Sequence, residues 1–148
     1  MSTRCQIGFY KSQPIKNNLD KPEVLLYRHC DGYPGTADGK KYGVLAEIVP
    51  FLKHFHNTRG MNDIEYCSAW LIHHMIQSHI YGNKHIKIEN RDCLVYGICP
   101  KDCFHGDIEY YYAIYPGAID VYGTRYSSGP KTYKKIHTVT INSVCPIL

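Results

Sequence analysis

The stretch R-H-C-D-G-Y-P-G at residues 28–35 sets a guanidinium, an imidazole, a thiol, a carboxylate and a phenol within eight positions, with two glycines and a proline among them. Two chemistries fit such a set. A cysteine and a histidine can form a nucleophile and its base. A guanidinium beside an imidazole and a phenol can instead hold an anion that carries an aromatic ring. Neighbours on an extended chain point to opposite sides, so Cys30 cannot use His29 as its base. The ligand reading fares better: Arg28 and His29 meet the anion, Tyr33 stacks on the ring, Asp31 lies between them, and Lys40 in the following loop adds a cation. Against it stands a purely structural reading, in which Asp31-Gly32 makes a turn with Gly32 at positive φ and Arg28 pairs with a carboxylate.

A second constellation is Cys93, Cys99, Cys103 and His105, spaced C-x5-C-x3-C-x-H. Thiolates and imidazole are the ligands of tetrahedral zinc. Cys93 and Cys99 sit at the two ends of a predicted strand, about 20 Å apart at ~3.3 Å per residue, too far to share an ion. Only Cys99, Cys103 and His105 are left to converge across a hairpin turn. The irregular spacing favours a cysteine-bearing hairpin without metal, and no cofactor motif is legible.

The other histidines add little. His54 and His56 flank Phe55, and His73 and His74 are adjacent on a predicted helix, so neither pair shares a helical face. His56-Asn57-Thr58 is one unit of the kind that two-histidine phosphodiesterases carry in pairs on strands, but it falls at a helix end. In K-K-I-H-T-V-T-I, His137 shares its face with Val139 while Thr138 and Thr140 point away, as plain strand alternation requires. No Gly-rich phosphate loop or nucleophile elbow is present in usable context.

These groups must be positioned by one domain, since 148 residues suit a single core spanning 1–148. The chain carries 14 tyrosines and a formal charge of +4. That balance mildly favours anionic partners without the dense Lys/Arg runs of a dedicated nucleic-acid binder. Seven cysteines, an odd number, with no signal-like h-region and no apolar run long enough to span a bilayer, point to a reducing, cytoplasmic setting, the host's cytoplasm if the chain is viral.

Period-2 alternation predicts strands over Arg4 to Tyr10 and Val24 to His29, the second with Val24, Leu26 and Arg28 on one face and Leu25, Tyr27 and His29 on the other. Leu45, Ile48, Leu52 and Phe55 form one helical stripe from Val44, with Pro50 either kinking the helix or lying in the first turn of a part starting near Val49. Asn62 and Glu65 resemble a capping box opening a helix from Asp63 to about Tyr81, with Ile64, Cys67, Ser68, Leu71 and Met75 on one face and Gly82-Asn83 as its stop. Beyond Lys87, C-L-V-Y-G-I-C, I-E-Y-Y-Y-A-I-Y, A-I-D-V-Y-G and H-T-V-T-I-N-S-V read as four strands in a meander. The order β-β-α-α-β-β-β-β implies an α+β fold: a largely antiparallel sheet of about six strands with two helices on one face. Such a two-layer domain leaves one sheet face open, for which a homodimer partner is the simple cover.

T-R-C-Q-I-G-F-Y, L-Y-R-H-C-D-G-Y-P-G and Y-G-V-L-A-E-I-V-P-F-L resemble a pattern in small uncharacterised proteins of phages and prophages that carry R-H-x-D-G-Y-P. Those proteins have an aromatic residue where this chain has Cys30. The resemblance spans the first half and implies a viral or mobile-element origin; it supplies no catalytic residues. With no catalytic constellation legible, the expected function is binding of a small, nucleotide-like anion, as a counter-defence sponge that sequesters a host signalling nucleotide. One alternative is a phosphoesterase using His29 and His137 as acid and base. Another is an inhibitor that docks on a host factor through exposed tyrosines such as those of Tyr110, Tyr111 and Tyr112.

Overall fold

The computed structural model describes residues 3–15, 17–36, 42–79, 95–100 and 102–141. Lys40, Cys93 and Gly82-Asn83, singled out above, lie outside the described residues. Strands β1 (Cys5–Phe9) and β2 (Val24–Arg28) are followed by helices α1 (Val44–Thr58) and α2 (Ile64–His79), then by β3 (Tyr96–Ile98), β4 (Tyr110–Tyr115), β5 (Ala118–Gly123) and β6 (Lys134–Thr140). This is the α+β arrangement expected, with six strands in one sheet and two helices.

The connectivity departs from a meander. The sheet order is β3-β2-β1-β4-β5-β6, so β3 lies at the far edge beside β2, and β4 runs parallel to β1. Of the four strands after the helices, only β4, β5 and β6 follow one another antiparallel. From β3 the chain therefore has to cross two strands to reach β4, and among the described residues 99–100 and 102–109 lie on that crossing, over the sheet face opposite the helices.

Helix α1 owes its place to its apolar stripe: Val44, Leu45, Ile48, Val49, Leu52 and Phe55 are buried, and Pro50 is exposed within the helix. The helix neither starts nor stops at Pro50, which gives up the bond to the Ala46 carbonyl where solvent can take its place. Leu45, Ile48 and Leu52 are fully buried, each contributing about 1.5–3 kcal/mol. Helix α2 buries Cys67, Leu71 and Met75 in the same core, which also takes Cys5, Ile7 and Phe9 of β1 and Tyr112 and Ile114 of β4. Asp63, rather than Asn62, precedes its first turn, its carbonyl accepting the Cys67 N–H at 2.9 Å. Among the described residues no helix is long and apolar enough to cross a membrane.

The opposite face has its own core, rich in phenols: Tyr10, Tyr111, Tyr115, Tyr122 and Tyr133 pack with Leu19, Leu25 and Ile108. Tyr111 and Tyr112 are both 0% exposed, one on each face of β4. Tyr111 and Tyr112 thus belong to a doubly covered strand, and their side chains are not exposed to a partner. The chain's own loops cover the middle of the second face, where the expectation of a homodimer placed an open one.

Those buried phenols and thiols predict alkaline sensitivity. Burial pushes Tyr122 and Tyr133 up from 10.0 to about 12, and Cys5 and Cys67 up from 9.0 to about 12. Burial and the Tyr10 phenol beside it also raise Tyr111 well above the ordinary range of a phenol. The unfolded chain releases these protons first as pH rises, so the stability they contribute is complete below pH 9 and lost progressively as pH climbs toward 12. Part of the tyrosinate absorbance should appear only together with loss of the circular-dichroism signal. Ionisation of all 14 phenols with the fold intact would refute this.

Candidate functional site

The R-H-C-D-G-Y-P-G segment is built into the start of α1. The carbonyls of Tyr33 and Pro34 accept the N–H groups of Val44 (2.9 Å) and Leu45 (3.1 Å), two donors that a helix N-terminus leaves without intrahelical partners. Gly43, the N-cap, makes no side-chain cap bond. Gly35 and Gly43 let the two segments touch: at φ +85, a Cβ on Gly35 would lie 1.6 Å from the Tyr42 carbonyl oxygen.

Arg28 is 2% exposed and turned under the helix. Its guanidinium grips Glu47 through Nη1 to Oε2 (2.6 Å) and Nη2 to Oε1 (3.2 Å), and Nε donates to the Cys30 carbonyl at 2.8 Å. Burial pulls the Arg28 pKa down, but the hydrogen bond and charge of Glu47 more than reverse it and the net direction is upward. Arg28 is therefore occupied inside the fold and does not line a cleft. The left-handed residue of the turn is Asp31 at φ 55, not Gly32. Gly32 is required for closeness instead, because a Cβ there would lie 2.8 Å from that of Cys5 and 2.9 Å from the Thr3 carbonyl oxygen. Asp31 is exposed, and Tyr33, 37% exposed, faces the ring of Tyr42 at 6.2 Å. Of the five residues proposed together from sequence, the structure does not bring Arg28, His29, Asp31 and Tyr33 to one ligand.

His29 belongs to a different neighbourhood, the sheet face under the 99–109 crossing. Gln6 on β1, 0% exposed, is its centre: Nε2 donates to the Cys99 sulfur (3.2 Å) and the Cys103 carbonyl (2.9 Å), and Oε1 accepts the His105 N–H (2.9 Å). Tyr27 on β2 stacks on His105 at 4.4 Å, and its hydroxyl lies 2.8 Å from His29 Nδ1. Arg4 reaches Asp107 at 3.1 Å and His29 Nδ1 at 3.4 Å. The alternation of β1 and β2 puts Gln6, Tyr27 and His29 on this face. What the sequence concealed is that the crossing loop returns over them.

Within this centre, Cys99 Sγ lies 4.0 Å from His105 Nε2, and His105 Nδ1 lies 3.9 Å from Asp107 Oδ1. The order is that of nucleophile, base and orienting carboxylate, but the contacts are loose. Burial also raises the Cys99 thiol above its ordinary range, an effect the Gln6 hydrogen bond only partly offsets. A thiol held neutral is a poor nucleophile. Cys103 is exposed, and among the described residues no three metal-ligating side chains converge, so the Cys99, Cys103 and His105 set does not assemble. The pair His29 and His137 is further apart: β2 and β6 are separated by three strands, about 19 Å at ~4.8 Å per spacing. They also lie on opposite faces, His137 sharing that of Val139 in the helix-side core. No one substrate group can meet both.

On its other side the crossing loop walls a cleft. Phe104, His105, Thr124, Ser127, Ser128 and Tyr133 are among the residues around an inner cavity of about 160 Å³. Its neighbour is a more open basin of about 420 Å³, lined by Asp20, Lys21 and Asp102 and sharing Phe104, Ser128 and Gly129 with the inner cavity. The loop after β5 that forms the far wall is held by Thr132, which accepts the Ser128 N–H at 2.9 Å and donates to the Gly129 carbonyl at 2.8 Å. The inner cavity thus combines two aromatic walls, a histidine and serine hydroxyls on a braced loop. Sequence reasoning ranked His105 only as a metal ligand and missed the Ser127-Ser128-Gly129 wall. Scans against protein-family models, curated proteins and solved structures return no match.

Proposed function

We propose that the protein binds a small, nucleotide-like anion in this cleft and releases it unchanged. The observation that carries the reading is the composition of the inner cavity: Phe104 and Tyr133 offer apolar ring surface, while His105 and the Ser127 and Ser128 hydroxyls offer adaptable hydrogen bonds. At about 30 Å³ per water, about 160 Å³ holds roughly five waters, room for one ring system. The +4 charge favours an anion overall. Binding without turnover suits a centre in which burial holds the Cys99 thiol neutral and its contact with His105, at 4.0 Å, is loose. In a chain of phage or mobile-element origin, such a binder would serve as a sink for a host signalling nucleotide.

Calorimetry of the full chain against cyclic and linear nucleotides and ADP-ribose tests this, with the bound ligand recovered by denaturation. The expected result is a saturable complex, an intact ligand on recovery, and at least about tenfold weaker binding by His105→Ala, which removes a ligand contact. Silence across the panel would defeat the proposal. Recovery of cleaved product would make the protein a phosphoesterase that uses residues other than the His29 and His137 pair.

A further inference from the structure

We infer that Cys99 and Cys103 are a reversible redox pair: a small disulfide such as glutathione disulfide converts them into an intramolecular disulfide, which loosens the hold of Gln6 on the crossing loop. The inference does not depend on what the cleft binds. The two cysteines flank a tight reversal of the chain. The Cys99 N–H still pairs with the Leu25 carbonyl of β2 at 2.8 Å, and the Cys103 N–H turns back to the Pro100 carbonyl at 3.1 Å, with Asp102 left-handed at φ 68. A turn of this kind brings Cα atoms three residues apart within about 7 Å. A disulfide needs Cα atoms about 4.4–6.8 Å apart. One amide shows how near the pair lies: Gln6 Nε2 donates both to the Cys99 sulfur (3.2 Å) and to the Cys103 carbonyl (2.9 Å). The thiols also sense each other, since charge on Cys103 adds to the burial that raises the Cys99 pKa.

Access assigns the two roles. Cys103 is exposed, so its thiolate attacks the incoming disulfide, forming a mixed disulfide and releasing one glutathione thiolate. Cys99 is half-buried and shielded from a bulky oxidant, but His105 Nε2, 4.0 Å away, is placed to take its proton. The Cys99 thiolate then attacks the Cys103 sulfur, the bond to glutathione breaks, and the second glutathione leaves and takes up that proton. Two protein thiols are oxidised and one glutathione disulfide is reduced to two thiols. Cys5 and Cys67 are buried in the helix-side core and take no part. In a reducing compartment such a bond is transient and serves sensing. Its effect passes through Gln6, which is 0% exposed. Bonding to Cys103 draws the Cys99 sulfur off Nε2, and no water replaces the lost acceptor. The same side chain accepts the His105 N–H, so the wall of the cleft is the part that loosens.

The test equilibrates the full, reduced chain with glutathione and glutathione disulfide at varied ratios, followed by acid quench, alkylation and mass mapping. Trypsin cuts after Lys101, between the two cysteines, so the disulfide appears as two joined peptides that dithiothreitol separates. Cys103→Ser should leave Cys99 reduced, whereas Cys99→Ser should stop at a mixed disulfide of Cys103 with glutathione. In the oxidised wild type the His105 amide should exchange at least about threefold faster, as expected for a weakened hydrogen bond. Thiols that stay unlinked in glutathione disulfide alone, or Cys103 joined to a different cysteine, would overturn the pairing. A 99–103 link with unchanged exchange at His105 would overturn the loosening of the loop.

Discussion

Glu47→Ala is expected to cost about 3–5 kcal/mol, because it strands a buried guanidinium without its counter-charge. Arg28 is 2% exposed, and Glu47 answers two of its nitrogens, at 2.6 and 3.2 Å. Against a total stability of about 5–15 kcal/mol for a typical domain, that loss is a large share of the whole. Urea denaturation should show a lower midpoint with an unchanged slope, the mark of lost stability without a change in exposed surface. The paired replacement Arg28→Met with Glu47→Leu should recover most of the loss, since apolar residues of similar size replace a buried ion pair at little cost. A loss below about 1 kcal/mol for Glu47→Ala would mean the pair behaves as an exposed one. The consequence reaches beyond stability: the same arginine is a candidate ligand contact in the sequence, and this result would fix it as the clamp between β2 and α1.

Gln6→Leu should be nearly as damaging, and it should also abolish ligand binding. Leucine keeps the volume but removes the bonds to Cys99 Sγ, the Cys103 carbonyl and the His105 N–H. Two backbone groups of the crossing loop then lose their only described partner on β1, at about 1–3 kcal/mol each, so a total of about 2–6 kcal/mol is expected. The cleft shares that loop, since Phe104 and His105 line its inner cavity. Hydrogen exchange should show the His105 amide losing protection ahead of the β-sheet core. Retained nucleotide affinity in a folded Gln6→Leu would show that the crossing loop is held in place without Gln6.

Much of the fold was legible because local physics fixes it. The alternation along β2 correctly separated Val24, Leu26 and Arg28 from Leu25, Tyr27 and His29, as the two cores show. The α1 stripe and the α2 face were equally plain, since helical spacing is a local property. The place of β3 was not. Its three residues carry no mark of the strand they pair with, and that pairing turned an expected meander into a crossing. The phenols told the same story: three consecutive tyrosines announce two covered faces or a sticky one, and only the surrounding loops decide between them.

The sequence by itself determined the element types, the faces of the strands and the α+β class, because side-chain period and chain stiffness act within a few residues. It also made R-H-C-D-G-Y-P-G conspicuous. Only the tertiary structure decided what that segment does: α1 docks against it, consuming Tyr33 and Pro34 as helix-capping carbonyls and Arg28 as the partner of Glu47. It likewise decided that Gln6, Tyr27 and His105, separated by 21 and 78 residues of chain, meet on one sheet face. Such meetings depend on loop crossings between distant segments, and no local pattern encodes them.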